Sequence, residues 1–137
     1  MKEFDLEIMT PERHFFEGRA EGLTVTLPDG LFTILGGHAP MVAALEVGEL
    51  RYKIQGEWRE CAASEGFLEV MSDGHVIVFV QACENADEID AGRARAAAER
   101  AKERLSSSES IREYEMSRIA LARAMNRLKV KGRSRYV

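Results

Sequence analysis

The stretch ENADEIDAGRARAAAERAKERL, residues 84–105, divides the chain into two regimes. Before it, apolar residues alternate in twos. After it they recur every three or four, so the hydrophobic period changes from strand to helix at about Asn85. The helix that opens here has Ala94, Ala97, Ala101 and Leu105 at helical spacing, with Ala98 alongside, so its inward stripe is mostly methyl groups. Burying a methyl is worth about 0.8 kcal/mol, against roughly 1.5–3 kcal/mol for a whole leucine. Such a helix docks closely but lightly, and is easily displaced.

Upstream of the junction the pattern is all strand. Phe4, Leu6 and Ile8 alternate with charged residues and stop at Thr10-Pro11. Residues 13–17, then Leu23, Val25 and Leu27, continue to the turn Pro28-Asp29-Gly30. Residues 31–35 form the next strand, closed by Gly36-Gly37-His38-Ala39-Pro40, and residues 41–45 lead to Gly48. Leu50, Tyr52 and Ile54 alternate up to the reversal at Gln55-Gly56-Glu57, where Trp58 begins the return strand. Residues 66–71 and 75–80 form a hairpin around Ser72-Asp73-Gly74, and its second strand is apolar on nearly every residue, as expected where both faces are covered. About ten short antiparallel strands with frequent turns predict a β-sandwich or barrel.

Downstream, helices are expected over about 87–105 and 110–130, separated by Ser106-Ser107-Ser108-Glu109. Ser110 with Glu113 three residues on is a capping box that starts the second helix near Ile111. Tyr114, Leu121, Met125 and Leu128 form its wide stripe, with Ala120 and Ala124 placed to meet the alanine face of the first. The reading is a β plus α chain: an antiparallel β-sandwich or barrel in residues 1–84, then a two-helix antiparallel hairpin in residues 85–137.

The totals set bounds on function. With 137 residues, 45% hydrophobic and 31% charged, the chain suits one ordinary domain or a small domain with an appendage. The apolar run over 76–83 is too short to cross a bilayer, and the start MKEFDLEIM is too acidic for a signal or transit peptide, so the protein is expected to stay where it is made. Cys61 and Cys83 stand alone, without a second pair at ligand spacing, and read as buried, inert thiols. The net charge of −4 hides an asymmetry. Residues 1–84 carry 15 acidic and 6 basic side chains, a net of −9, while residues 85–137 carry 8 acidic and 13 basic, a net of +5. The second part is therefore suited to an acidic partner or an anion.

Catalytic constellations are not found. His14, His38 and His75 occupy different turns with no metal spacing, Ser64-Glu65-Gly66 lacks the leading glycine of a nucleophile elbow, and Gly36-Gly37 is not followed by a lysine-bearing helix. His38 reads as a closer of the Gly36–Pro40 turn or a partner contact. The basic tail, Lys129, Lys131, Arg133 and Arg135, reads as a solvated end, or alternatively as part of a basic hairpin adaptor for nucleic acid or another acidic partner. More informative is a cluster spanning both helices. Asp90 and Arg93 are three apart with Arg100 two turns beyond, and Arg123 and Arg127 are four apart. A closed hairpin either gathers these guanidiniums around an anion beside an alanine groove, with Glu84 and Asp90 at its open end, or spreads them into surface ion pairs with Glu99 and Glu103.

Three segments carry a resemblance: GLFTILGGHAPMVAAL (residues 30–45), SEGFLEV (residues 64–70), and ADEIDAGRARAAAERAKERL followed by ALARAMNRL (residues 120–128). Together they resemble the epsilon subunit of the bacterial F-type ATP synthase over nearly the whole chain. The chain departs from that family's Gly-Gly-Phe-Leu-Glu-Val at Glu65, and places Gly92 within the first helix, a residue that costs roughly 1 kcal/mol against alanine in a helix interior.

The resemblance implies a non-catalytic rotor subunit needing no cofactor. Its sandwich is expected to bind the gamma subunit and rest on the c-ring, with Asp29, Gly30, Leu31, His38, Pro40 and Met41 as partner contacts. Its hairpin is expected either to lie folded or to extend toward the beta subunits and restrain ATP hydrolysis. The implied location is the cytoplasmic face of a bacterial membrane, with membrane contact only through partners and no nucleic acid bound. Ile89-Asp90-Ala91-Gly92-Arg93-Ala94 matches the family's ATP-binding motif, so the resemblance implies ATP as a regulatory ligand at Glu84, Ile89, Asp90, Arg93, Arg100, Arg123 and Arg127. A ligand at 100 times its dissociation constant stabilises the state it binds by about 2.7 kcal/mol, enough to compete with a few buried methyls.

Overall fold

Alternation shapes the first element of the computed structural model, which describes residues 2–134. In β1 (Phe4–Met9), Phe4, Leu6 and Ile8 are buried and Asp5 is exposed. The other strands are β2 (His14–Ala20), β3 (Gly22–Leu27), β4 (Gly30–Leu35), β5 (Met41–Leu45), β6 (Gly48–Ile54), β7 (Glu57–Ala63), β8 (Gly66–Val70), β9 (Val76–Val80) and β10 (Cys83–Asn85); alternation is clear in β8 and β9, whereas β3 and β7 have runs of consecutive buried residues. The strands form two five-stranded sheets, ordered β2-β1-β9-β8-β5 and β10-β7-β6-β3-β4, whose inner faces enclose one core. That core holds Leu6, Ile8, Leu23, Ile34, Leu50, Leu68 and Val78, together with Cys61 and Cys83, both buried as free thiols.

Two expectations need correction here. Pairing is antiparallel except between β1 and β9, which run parallel with Leu6 opposite Val76 and Ile8 opposite Val78. The first strand inserts into a sheet completed by the last hairpin, and this register aligns the core-facing residues of both strands. Nor is β9 covered on both faces. Val76, Val78 and Val80 are buried, whereas Ile77 and Phe79 are only half-buried, so an apolar run here marks an apolar outer face.

Turn chemistry fixes the register. Gln55 and Gly56 have φ of 49° and 81°, the backbone of a two-residue hairpin turn with both central residues left-handed. The Gly56 N–H donates to Glu21 Oε1 at 2.6 Å. Gly66 answers a different need. A Cβ there would meet the Phe79 carbonyl oxygen, so the second glycine of the family pattern is the one this hairpin has no room to replace, while the Glu65 backbone carbonyl accepts from the Gln81 N–H at 3.2 Å.

A boundary falls between Asn85 and Ala86, and residues beyond it form a second compact unit. Residues Ala86–Glu88 make a single 3-10 turn, so helix α1 runs Ala91–Ser106 rather than starting near residue 87. The cause is Asp90, whose carboxylate accepts the Arg93 N–H at 3.0 Å and so caps the helix there. At the other end the serine run satisfies the last carbonyls: the Ser107 hydroxyl donates to Glu103 O at 2.9 Å and that of Ser108 to Arg104 O at 2.7 Å. Helix α2 runs Ile111–Ser134, a turn longer than expected. Ser110 Oγ accepts the Glu113 N–H at 3.1 Å, while Glu113 accepts from the Glu109 N–H at 3.0 Å, one residue earlier than the usual capping box.

The seam between the helices also differs from expectation. Ala94, Ala98 and Ala101 are buried on α1, but on α2 Ser117 and Ala124 are buried while Tyr114 and Met125 remain 45% and 48% exposed. Leu121 and Leu128 keep their expected places, while Ser117 and Ala124 take the inward positions expected of Tyr114 and Met125, as suits helices packed closely through alanine. The expected tail residue Arg135 and the side chain of Arg133 lie outside the described residues. Among those described, no helix is long and apolar enough to cross a membrane.

Burial raises the Tyr52 hydroxyl from its ordinary 10.0 to about 12, and the ring packs on Phe16 with centroids 4.7 Å apart. The folded chain thus keeps a proton that the unfolded chain gives up. Stability should be full below pH 10 and fall by about 2–3 kcal/mol as pH rises to 12. Denaturant unfolding of Tyr52→Phe across this window should show a flatter pH profile than the parent; identical slopes would contradict the assignment.

Candidate functional site

The junction is built residue by residue. Glu84 and Asn85 lie on β10, opposite Ala62 and Cys61, and the Cys61 thiol donates to Asn85 Oδ1 at 3.5 Å. Beyond the 3-10 turn, the Ile89 N–H donates to Ala86 O at 3.3 Å, and the Ile89 side chain is buried, leaving it only apolar contact to offer a ligand. Asp90 is exposed, but its Oδ1 is committed to the helix cap. Gly92 is the second residue of α1, in a first turn whose N–H groups have no intrahelical partner, so the full interior penalty does not apply. A Cβ there would come within 3.3 Å of Asp90 Oδ1, crowding the cap.

The alanine seam decides where the guanidiniums go. Ala94, Ala98, Ala101 and Leu105 face α2 with spacings of four, three and four. Arg93, Ala97, Arg100 and Arg104 are each one residue earlier and form the adjacent row. On α2 the seam Ser117, Leu121, Ala124 and Leu128 is preceded in the same way by Met116, Ala120, Arg123 and Arg127. In an antiparallel pair, rows offset in the same sense from both seams fall on the same side. Arg93, Arg100, Arg123 and Arg127 therefore share one side of the hairpin, with Asp90 heading the α1 row. Glu84 belongs to the other compact unit.

Arg93 and Arg100 are exposed and, among the described residues, enter no ion pair; Arg123 and Arg127 are half-buried. Glu99, a partner in the surface-pairing alternative, is 3.6 Å from Lys102 instead. The pair Arg118–Glu115 at 2.8 Å, whose hydrogen bond holds the Glu115 carboxyl below its usual range, lies off this row. Arg104 was not among the residues singled out by the motif, yet the 4-3-4 spacing from Arg93 through Ala97 and Arg100 points to it. With Arg123 it lines an open groove of about 600 Å³ whose walls include Ala101, Met116, Ile119 and Ala120.

The expected partner contacts on the sandwich do not form one group. Asp29, Gly30 and Leu31 sit where β4 begins, and His38, Pro40 and Met41 beyond its end, about 17 Å of strand away. His38 closes its turn: Nδ1 lies 2.8 Å from Ala39 O, and the ring meets Phe32 edge-on at 5.5 Å. What the motif reading missed is an apolar patch on the outer face of β5, β8 and β9. Ala44, Phe67 and Phe79 stand side by side in register, the two rings stacked at 5.8 Å, with Phe67 51% exposed and Val42 beside them 72% exposed. The signal was present as apolar residues at both parities of β9.

Comparison with known proteins agrees with this architecture. Residues 3–86 match the family model "ATP synthase, Delta/Epsilon chain, beta-sandwich domain", and residues 87–132 match "ATP synthase, Delta/Epsilon chain, long alpha-helix domain". The chain is 45% identical over 135 residues to the ATP synthase epsilon chain of Ruminiclostridium cellulolyticum, covering 98% of this chain and 100% of that one. It is 39% identical over 132 residues to that of Bacillus velezensis, covering 96% and 99%. Among solved structures, a chain of the Euglena gracilis mitochondrial ATP synthase superposes with a TM-score of 0.80 at 20% identity, covering 100% of this chain and 83% of that one. A chain of the Tetrahymena thermophila mitochondrial ATP synthase central stalk and c-ring gives 0.61 at 13% identity, covering 96% and 99%. With both of its units matched and identity sustained from end to end, this chain belongs to the family of ATP synthase epsilon chains.

Proposed function

We propose that the chain is a non-catalytic rotor subunit of an F-type ATP synthase, held at the membrane face through its partners, and that its sandwich docks on the gamma subunit through the Val42–Phe67–Phe79 face. The observation that carries this reading is the exposure of that patch in a unit otherwise rich in acidic side chains. Glu69 stands between Val42 and Ile77 on this face, so the apolar surface is centred on Ala44, Phe67 and Phe79, and a cluster of exposed apolar side chains there supports an interaction site. The names of the structural neighbours, which include the F1, c-ring and central-stalk assemblies, support the same setting for this chain. Contact with the c-ring is assigned to the loops at the ends of β4, where Leu31 is 51% exposed.

Covering one large apolar side chain is worth roughly 1.5–3 kcal/mol. Phe67→Glu should therefore weaken binding of the isolated gamma subunit at least tenfold by calorimetry, while leaving the thermal midpoint of the sandwich nearly unchanged. Equal affinity of parent and variant would remove the assignment.

The hairpin is the regulatory part of this reading: it restrains ATP hydrolysis when extended toward the beta subunits, and binds ATP when folded. Its support is the shared side occupied by Arg93, Arg100, Arg123 and Arg127 and the match of residues 89–94 to the family motif. Titrating ATP into the full chain should shift the backbone amide signals of residues 89–94, with Arg93→Ala and Arg127→Ala abolishing the response; a flat titration at millimolar ATP would end the nucleotide reading. Removing residues 86–137 should leave a folded sandwich that still binds gamma but no longer slows hydrolysis in the assembled enzyme. Undiminished inhibition after that deletion would count against a regulatory hairpin.

A further inference from the structure

The outer face of the sheet β2-β1-β9-β8-β5 carries two unlike rows of side chains running across its strands. One is apolar: Ala44, Phe67, Phe79 and Met9 follow one another in register. Two residues along each strand, about 7 Å away, the next row reads Val42, Glu69, Ile77, Glu7 and Glu17. Glu7 and Glu17 stand directly opposite, an arrangement of like charges that works against strand pairing. The neighbouring cations are engaged elsewhere. Arg19 lies 3.1 Å from Asp5 Oδ1 and 3.9 Å from Glu3 Oε1, and Arg13 lies over the Phe15 ring at 5.3 Å. His75 Nε2 is 3.6 Å from Glu7 Oε1 and adds charge there only when protonated. Glu17 and Glu69 are exposed and, among the described residues, enter no ion pair. Nor, among those residues, are three acidic, histidine or cysteine side chains placed to share a metal ion.

We infer that this acidic row selects the partner by charge: the gamma-subunit surface that covers Phe67 and Phe79 bears lysine or arginine side chains beside its apolar contact, and these meet Glu69, Glu7 and Glu17. The inference rests on the docking assignment made above. Strands lie roughly 4.8 Å apart, so the basic groups meeting Glu69 and Glu7 are about 10 Å apart, and those meeting Glu7 and Glu17 about 5 Å apart. Exposed charges beside an interface act mainly on the rate of encounter and its salt dependence, whereas buried apolar anchors act on the rate of release. The two rows therefore have separable effects. An anionic membrane surface or a nucleic acid would be repelled by the same carboxylates.

The test is stopped-flow association of the full chain with the isolated gamma subunit at low and high salt. Raising the salt should slow association of the parent roughly tenfold. Glu17→Lys and Glu69→Lys should each slow it roughly tenfold at low salt, whereas Glu57→Lys, the same change of charge at an exposed position on the other sheet, should alter it by less than about twofold. Phe67→Ser should instead speed release and keep the parent's salt dependence of association. Glu17→Lys removes the repulsion of Glu7, so its thermal midpoint should equal or exceed the parent's. Should either lysine variant lower the midpoint, Glu17→Gln and Glu69→Gln provide the readout, each slowing association roughly threefold. If Phe67→Ser weakens binding while Glu17→Lys and Glu69→Lys behave like Glu57→Lys, the docking assignment stands and the charge inference is overturned. If Phe67→Ser binds as the parent does, the docking assignment fails and this inference with it. Faster association of the lysine variants would reveal an acidic partner surface and overturn the inference as well.

Discussion

The close approach of α1 and α2 across alanine and serine constrains everything else in the C-terminal unit. Alanine and serine hold the fully buried positions of this seam, Ala94, Ala98 and Ala101 against Ser117 and Ala124, with Leu105, Leu121 and Leu128 half-buried along it. Once that seam is fixed, helical geometry leaves no choice about the neighbouring rows. The residues one position earlier on each helix fall on a common side, and in this sequence they are mostly arginines. The charge arrangement is therefore a consequence of packing. Alanine spacing selects the seam and the seam orients the guanidiniums.

The sandwich obeys a different constraint with the same logic. Period-two alternation places Leu6, Ile8, Val76, Val78 and Leu68 inside, and the parallel β1–β9 register is the pairing that keeps both strands' inner residues aligned. Where the outer parity is also apolar, at Phe67 and Phe79, nothing in the sandwich core requires it. Local pattern and fold disagree at that face, and such disagreements are expected at functional surfaces. The acidic composition around it strengthens the contrast, since an apolar patch among carboxylates favours a partner that covers it over nonspecific self-association.

Strand count, the turn at Gln55-Gly56 and the capping serine at 110 were legible in the sequence because each depends on neighbours within a few residues. The start of α1 was not, because Asp90 caps more favourably than the residues before it extend the helix, and periodicity alone does not weigh these against each other. The α2 seam was misread toward Tyr114 and Met125 for a related reason. Hydrophobicity ranks large apolar residues as inward, but close packing through the alanines of α1 suits Ser117 and Ala124 better at those positions. Arg93, Arg100, Arg123 and Arg127 were found by motif, and Arg104 was missed because it lies outside that motif though not outside the row. The apolar run in β9 signals coverage of both faces, but sequence cannot say whether the second cover comes from the same chain.

The row of arginines does not by itself demand an anion. Arg93 and Arg100 are seven residues apart, about 10 Å along the axis, which is close to the screening length at physiological ionic strength. Arg123 and Arg127 are nearer, one turn apart, but a like-charged pair at that spacing costs a helix only about 0.2–0.5 kcal/mol. Repulsion on this scale is smaller than the burial of one alanine methyl, so the hairpin holds its seam with the row empty. A ligand bound to this row would therefore act through the affinity it brings to the closed arrangement, and its hold on the hairpin would scale with its concentration relative to its dissociation constant. A seam of methyl groups is well matched to that role. Leucines in place of Ala94, Ala98 and Ala101 would forbid the close approach that aligns the two rows, and a seam buried more deeply would leave ligand binding too weak to decide whether the helices stay together.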